Sequence, residues 1–322
     1  MLRPMIEPRT RSSALLQPLL VLLWSTGFIG ARLALPHAEP LTFLGLSYAL
    51  VIVAMGAVVL MTGARWPRGW RQLAHLAISG TLMHGVYLGG VFIAIHRGLP
   101  VGLTALVVAM QPLLTAGCAT WLHGPRVDAR EWGSLGLGLV GVAMVVGSVL
   151  QVDGVSPSAL APMLVPAVAA LLGITVGTLY QRAFCPRFDL ATGTLVQIVP
   201  SLLLTAAVAL QTETLRIAWT GQLVTALLWL VLCLSLGAVG VRHLLTRQGR
   251  AVDAASLFLL VAPTTALLAW AIFGETPSAV AVAGMVVALA GLWLPHSGPG
   301  VSSRLAVRPA PRPLRREPPG LC

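Results

Sequence analysis

Residues 255–294 read ASLFLLVAPTTALLAWAIFGETPSAVAVAGMVVALAGLWL, and this stretch decides the fold. It consists of two apolar runs separated by the short sequence GETPS at residues 274–278. A helix that spans a bilayer needs about 20 predominantly apolar residues, and each run approaches that length. The Gly and Pro between the runs are typical of a helix end and a turn. The stretch therefore predicts two antiparallel membrane helices joined by a short loop.

The composition of the whole chain excludes a water-soluble enzyme. Of its 322 residues, 57% are hydrophobic and 10% are charged, and the mean hydropathy is +0.86. A soluble domain has about 25% charged residues. Apolar runs bounded by Arg, Pro or Gly predict an all-α membrane protein with ten transmembrane helices. The predicted helices cover residues 14–35, 41–61, 73–96, 101–121, 132–150, 159–180, 190–210, 223–244, 254–273 and 279–294.

The distribution of positive charge predicts the orientation in the membrane. All 21 basic residues are arginine. With ten spans, nearly all of them fall on the side that holds both termini, and only Arg32, Arg97 and Arg216 fall on the other side. The positive-inside rule then places both termini in the cytoplasm of a multi-pass protein of the plasma (inner) membrane. Scattered arginines in short loops do not form a nucleic-acid interface, so no nucleic-acid partner is expected.

Two weaker features concern the termini and the cysteines. Residues 9–24 have the basic and apolar parts of a signal peptide, but the further spans that follow favour an uncleaved first helix. The tail from residue 296 is rich in Pro and Arg and is predicted to be disordered and cytoplasmic. The cysteines at positions 118, 185, 233 and 322 have neither disulfide-framework nor metal-site spacing.

The two halves of the chain repeat each other. At an offset of 150 residues Gly27 aligns with Gly177 and Gly141 with Gly291, and at an offset of 151 Pro112 aligns with Pro263. Five helices per repeat is an odd number, so the second repeat enters the membrane inverted. Inverted repeats are typical of transporters that work by alternating access. The predicted organisation is a cytoplasmic segment 1–13, a first five-helix repeat 14–151, a second 159–295 and the tail 296–322.

Three stretches of sequence carry a resemblance to a known family. WSTGFIGAR at 24–32, GLTALVVAMQPLLTAGCATWL at 102–122 and the stretch quoted first resemble the EamA domain of the drug/metabolite transporter superfamily. The resemblance covers about residues 15–295. It implies a ten-helix inverted-repeat transporter, in which helices one to four and six to nine surround the substrate path. Members of the family are mostly exporters of amino acids and other small metabolites, and some export drugs.

The chain departs from the family at two positions. Many members carry an intramembrane Arg in the second helix, near the position of Ser47 in this chain. The Gly-Glu pair that usually follows the fourth and ninth helices is present as Gly274 and Glu275, but the first copy has Gly124 and Pro125. Substrate details tied to the family's Arg therefore do not transfer to this chain.

Polar residues inside the predicted helices are the candidates for the substrate path, because polar groups in the hydrocarbon region usually face a cavity or a partner. No Asp, Glu or Arg lies at the helix centres. His84 can bind substrate or carry a coupling proton, since imidazole titrates near neutrality; its alternative is a neutral residue bonded to a neighbouring helix. The stripe Thr194, Gln197, Ser201 and Thr205 lines a water-filled path or joins two helices. The predicted path residues are Trp24, Ser47, His84, Tyr87, Gln111, Thr178, Gln197 and Ser201.

Two prolines are the candidate hinges. Pro112 and Pro263 lie near the middles of the fourth and ninth helices, at equivalent positions of the two repeats. Each proline removes a backbone hydrogen bond, and paired interruptions in corresponding segments indicate a binding site or a gating hinge. The alternative is a pair of kinks that only improve helix packing.

The function predicted from these features is secondary transport of a small metabolite, most simply outward, by alternating access. A lipid-linked substrate flippase and a drug efflux protein of the same superfamily are the alternatives. The sequence has no nucleotide-binding motif, and no cofactor or metal is expected. Four acidic residues predicted on the outer side are spread singly over four loops, which leaves no acid–base pair for an enzyme. The Gly- and Ala-rich fifth and tenth helices suit either a homodimer or packing within a monomer.

Overall fold

The computed structural model describes residues 11–115, 118, 129–152, 156–185, 188–232 and 254–293. Over these residues the chain is helical, and no β-strand is formed. The all-α fold class is thereby confirmed. The tail 296–322, residues 1–10 and the later parts of the fourth and eighth predicted helices lie outside the described residues. The helices are α1 (Arg11–Ala34), α2 (Pro40–Thr62), α3 (Trp70–His96), α4 (Val101–Thr115), α5 (Ala129–Val152), α6 (Pro157–Phe184), α7 (Leu190–Thr212), α8 (Gly221–Leu232), α9 (Ala254–Phe273) and α10 (Ala279–Trp293).

Four of the described helices are long and apolar enough to cross a bilayer: α2, α3, α6 and α7. The apolar segments of the other helices are shorter over the described residues. These helices are α1, α4, α5, α8, α9 and α10. The chain is therefore a multi-pass helical membrane protein. That all ten predicted helices span the membrane stays a prediction.

Local sequence explains where several helices begin and end. Asp189 precedes α7 and accepts hydrogen bonds from the backbone N–H groups of Ala191 and Thr192, which have no partner within the helix. Ser156 performs the same function for α6, which then starts with Pro157. α2 ends at Thr62 and is followed by Gly63, whose φ of 59° lies in the left-handed region that glycine adopts without strain.

Helix α3 contains a π-helical turn at its middle. Residues Thr81–Val86 form this turn, between α-helical segments Trp70–Gly80 and Tyr87–His96. The Tyr87 N–H reaches the carbonyl of Leu82, five residues earlier, instead of the usual fourth residue. Such turns are rare and are found frequently at functional sites.

Helices from the two halves of the chain pack in pairs. α2 packs on α7, α4 on α9 and α5 on α10, while α3 packs on α6 and α1 on α8 and α9. Glycines permit the closest approaches. A Cβ added to Gly141 of α5 would lie 2.7 Å from the Cβ of Ala288 on α10. Interfaces of small residues are the usual means by which membrane helices pack closely, because lipid supplies no hydrophobic driving force between them.

Candidate substrate path

A buried polar cluster forms where α3 meets α7. Gln197, whose side chain is almost fully buried, donates from Nε2 to the Ser79 Oγ at 3.1 Å. The polar side chain of His84 lies near that of Gln197. The helices come this close because residue 80 is glycine, and a Cβ there would lie 2.5 Å from the Cβ of Gln197. We call Ser79, His84 and Gln197 the central cluster.

Helix α2 supplies a further contact to the same region. The Tyr48 hydroxyl donates to the backbone carbonyl of His84 at 2.8 Å, and Tyr48 is buried. Tyr87 directly follows the π-helical turn and is half-buried. The sequence analysis named His84, Tyr87 and Gln197 but missed Tyr48 and Ser79. Both are polar residues in apolar helices, the signal that identified the others.

Gln111 and Thr178 meet where α4 approaches α6. The Gln111 Nε2 lies 3.4 Å from the Thr178 Oγ1 and 3.5 Å from the Thr115 Oγ1. Gly177, the neighbour of Thr178, packs against Leu82 and Met83 of the π-helical turn. The Gln111–Thr178 pair is therefore adjacent to the segment of α3 that carries the central cluster.

Other predicted path residues are satisfied within their own helices. The Ser47 hydroxyl donates to the Phe43 carbonyl at 2.8 Å, and the Ser201 hydroxyl donates to the Gln197 carbonyl at 2.7 Å. Thr194 bonds its own helix in the same way. Trp24 is half-buried and packs against the hydrophobic core. Of the four residues in the α7 stripe, Gln197 thus bonds a side chain of another helix.

The two prolines lie in helices that pack on each other. Just before Pro112, the α-helical segment Val101–Ala109 ends at Met110, with φ −70° and ψ −11°, and helix resumes at residue 111. Near Pro263, the Val261 carbonyl accepts a bond from Ser25 of α1 at 3.3 Å. Thr265 is fully buried and its Oγ1 has no hydrogen-bond partner among the described residues. A buried polar atom without a partner among the described residues therefore lies two residues after Pro263, and the α-helix is interrupted two residues before Pro112.

Reciprocal hydrogen bonds join the α1–α2 and α7–α8 loops at one end of the bundle. Glu213 accepts from the backbone N–H groups of Leu41 and Thr42 at 2.8 and 2.7 Å, which caps the start of α2. Glu39 accepts from the Thr214 N–H at 2.8 Å and from the Arg216 N–H at 3.3 Å. The two glutamates lie in different loops of the sequence, and tertiary packing brings these loops together.

The same loops carry additional contacts. Ala38 and Ile217 form an antiparallel bridge, and the Ala218 N–H donates to the His37 carbonyl at 2.7 Å. Desolvation raises the pKa of Glu39, but the hydrogen bonds from Thr214, Arg216 and Leu215 together outweigh it and hold that pKa below its usual value. We call this set of contacts between residues 37–42 and 213–218 the loop latch.

Glu275, the acidic residue of the GETPS sequence, forms an ion pair with Arg32. Glu275 lies 3.7 Å from the Arg32 guanidinium and near the Val101 N–H at the start of α4. Desolvation raises the pKa of Glu275, and the positive charge of Arg32 opposes this shift. Both side chains are partly exposed, so the ion pair contributes at most about 1 kcal/mol to stability.

Comparison with known proteins shows that this chain is similar to membrane transporters. Residues 12–147 match the EamA-like transporter family. The probable amino-acid metabolite efflux pump of Salmonella typhimurium is 25% identical over 296 residues, which cover 88% of this chain and 95% of that protein. The uncharacterized transporter YvbV of Bacillus subtilis is 28% identical over 89% of this chain and 92% of its own length.

Two further matches are narrower in what they support. The uncharacterized inner membrane transporter YedA of Escherichia coli is 30% identical over 126 residues, and the match spans only 40% of its length. A solved structure titled "Crystal structure of protein" superimposes with a TM-score of 0.59 over 88% of this chain and 96% of that one. Its sequence identity is 19%, so it supports the fold alone.

Proposed function

This chain belongs to the EamA-like transporter family of the drug/metabolite transporter superfamily, and from that premise we propose that it exports an amino acid or similar small metabolite by alternating access. It is a secondary transporter of the plasma membrane in this proposal. The Salmonella typhimurium relative, which aligns over nearly its whole length, is named a probable amino-acid metabolite efflux pump. That name supports the substrate class and the outward direction.

The proposed architecture is a pair of inverted five-helix repeats, residues 14–151 and 159–295. Helix packing supports it. A two-fold axis that exchanges the repeats turns α1 into α6 and α3 into α8, so the contact of α1 with α8 must be matched by one of α6 with α3. Both contacts occur, and α2–α7, α4–α9 and α5–α10 are the pairs that such an axis maps onto themselves.

The central cluster is the proposed recognition site, and the position of His84 on the π-helical turn is the observation that carries the proposal. Gln197 and His84 both offer donors and acceptors, and Tyr48 adds a hydroxyl. No Asp or Glu lies within the interior of the described helices. Uncharged donors and acceptors at membrane depth suit a neutral or zwitterionic solute better than one with a large net charge.

Alternating access requires that one end of the path close while the other opens. The loop latch joins the two halves at the end that the positive-inside rule places outside. We therefore assign the latch as the outer gate, closed in this structure. Pro112 and Pro263 would supply the bending between states, and coupling to protons would pass through His84 or be replaced by the gradient of the substrate itself.

Untargeted mass spectrometry of the growth medium tests this proposal. Cells that overproduce the wild type should enrich at least one amino-acid-like metabolite in the medium relative to cells with an empty vector. Gln197→Ala should remove most of that enrichment because it deletes the amide that bonds Ser79 and lies beside His84. His96→Ala is the matched control, since His96 is exposed at the end of the same helix, and it should export normally.

All variants are compared at equal membrane abundance. Export by Gln197→Ala at the wild-type rate would remove the central cluster from the path. If wild-type cells change no soluble metabolite in the medium, export of a small metabolite is refuted, and lipid flipping becomes the better account.

A further inference from the structure

An open groove runs along the membrane-facing surface between α3, α6 and α7. Its volume is about 290 Å³, and its lining includes the small residues Gly85, Gly89 and Ala169. Along α3 it extends from Arg97, just past the helix end, to Gly85 at the π-helical turn. Twelve residues of helix correspond to about 18 Å, which is close to the roughly 15 Å depth of one leaflet's hydrocarbon.

The arginine at the mouth of the groove is held by a backbone carbonyl that a proline leaves without its usual helical partner. The Arg97 Nη1 donates to the Pro162 carbonyl at 2.8 Å. That carbonyl would normally accept from residue 166, but residue 166 is proline and has no N–H. Proline in α6 thus creates the acceptor that fixes the guanidinium beside the groove. A guanidinium has several N–H donors, so this bond leaves others for a ligand.

The charge of Arg97 is not balanced by the protein. Among the residues that the structure describes, no carboxylate lies within ion-pair distance of it. The groove below Arg97 is apolar, with Val165, Leu204 and Val208 contributing exposed side chains. The groove thus places a positive charge at one end of an apolar surface about as long as one leaflet is deep. This arrangement complements a lipid with an anionic head group and an acyl chain.

We propose that this groove is a binding site for an anionic membrane phospholipid, with one acyl chain between α3, α6 and α7 and the phosphate paired with Arg97. Arginine recognises phosphate through charge-assisted, often bidentate hydrogen bonds. The site is separate from the central cluster, and the inference requires only that the chain is a membrane protein. It holds whether or not the exported substrate is an amino acid.

A second groove of the same molecule provides an internal comparison. It lies between α2 and α7, has a volume of about 240 Å³, and includes Gly45 and Leu202 in its lining. No arginine lines it. Lipid bound there should show no preference for an anionic head group, because the recognition element present at the first groove is absent.

Native mass spectrometry of the purified full chain with added lipid tests the site. The probes are dioleoyl phosphatidylglycerol, which is anionic, and dioleoyl phosphatidylcholine, which is zwitterionic. The wild type should retain phosphatidylglycerol with about tenfold higher affinity, a difference of about 1.4 kcal/mol. Arg97→Gln should abolish this preference, and Arg97→Lys should keep most of it because the positive charge remains.

Groove-filling variants separate the acyl-chain contact from the charge. A Cβ at Gly89 would meet Leu41 at 3.6 Å, an ordinary contact, so Gly89→Leu fills the first groove without a backbone collision at the Cβ. It should weaken binding of both lipids severalfold. Gly45→Leu fills the second groove and is the matched control, with a Cβ contact to Leu202 at 3.8 Å; it should leave the phosphatidylglycerol preference intact. A preference that survives Arg97→Gln, or a Gly89→Leu variant that binds like the wild type, overturns the proposal.

A measurement on the unmodified protein guards against variants that fold poorly. Phosphatidylglycerol with a photoactivatable diazirine in one acyl chain should label peptides within residues 85–97 and 165–169 preferentially. Excess unlabelled phosphatidylglycerol should compete for this labelling, and phosphatidylcholine should not. Labelling spread evenly over all exposed helix faces would indicate ordinary surrounding lipid and would refute a specific site.

Discussion

The substitution Gly80→Ala tests whether the central cluster depends on close contact between α3 and α7. A Cβ at residue 80 would lie 2.5 Å from the Cβ of Gln197, about 1 Å inside ordinary van der Waals contact, and backbone atoms of residue 197 lie equally near. The helices must therefore separate. Overpacking of this kind costs about 1–3 kcal/mol, and loss of the Gln197–Ser79 hydrogen bond costs about 1 kcal/mol more. Alanine regains about 1 kcal/mol of helix propensity.

The net expectation for Gly80→Ala is a loss of about 1–3 kcal/mol in the free energy of unfolding, together with reduced export. Unfolding by sodium dodecyl sulfate in mixed micelles measures the first, and medium profiling measures the second. Gly56→Ala is the control, because its Cβ would meet nothing within 4 Å. That variant should be as stable as the wild type or more stable. A Gly80→Ala protein that unfolds like Gly56→Ala would refute the reasoning.

Two further perturbations concern the loop latch and the outer helices. Because the pKa of Glu39 is held below its usual value of 4.5, its bonds to Thr214 stabilise the fold at neutral pH and are lost as pH falls through that pKa. Thermal unfolding from neutral pH down to about pH 3 should show an acid-dependent loss in the wild type that is smaller in Glu39→Gln; equal losses would contradict this. Gly141→Ala, whose Cβ would lie 2.7 Å from that of Ala288, should separate α5 from α10 and lower the free energy of unfolding by about 1–3 kcal/mol. Gly147→Ala, which meets nothing within 4 Å, should not, and similar unfolding curves for the two variants would argue against that helix contact.

The sequence predicts the helices because a membrane helix is recognisable from the length and hydropathy of its own run of residues. The predicted segment 73–96, for example, corresponds to Trp70–His96 in the structure. The π-helical turn within it is not predictable in this way. It lies where Gly80 and His84 approach Gln197, a residue more than a hundred positions later in the chain, and no local pattern records that contact.

The site is partly predictable for the same reason. His84 and Gln197 stand out as polar residues among apolar ones, and the structure places them in one cluster. Ser47 and Ser201 stand out equally, yet their hydroxyls bond carbonyls four residues earlier in their own helices. Polarity alone does not distinguish a side chain that bonds a carbonyl of its own helix from one that bonds another helix. The pairing of the Glu39 and Glu213 loops likewise depends on tertiary packing that no local pattern records.

The loop latch offers a direct way to control the proposed outer gate. The bond from the Ala218 N–H to the His37 carbonyl makes Ala38 and Ile217 a non-hydrogen-bonded antiparallel pair. The Cα atoms of such pairs lie about 4.5 Å apart, within the range that a disulfide spans. Cysteines at these two positions, in a chain whose four native cysteines are replaced by serine, should therefore form a bond that holds the gate closed.

Reversible locking of this gate tests alternating access most directly. The measured quantity is export of the metabolite that the wild type enriches in the medium, in cells or vesicles that carry Ala38→Cys with Ile217→Cys. Oxidation should reduce export to the level of the empty vector, reduction should restore it, and each single cysteine variant should be unaffected. Undiminished export by the fully oxidised double variant would show that the Glu39–Glu213 end need not open, and would contradict the proposed transport cycle.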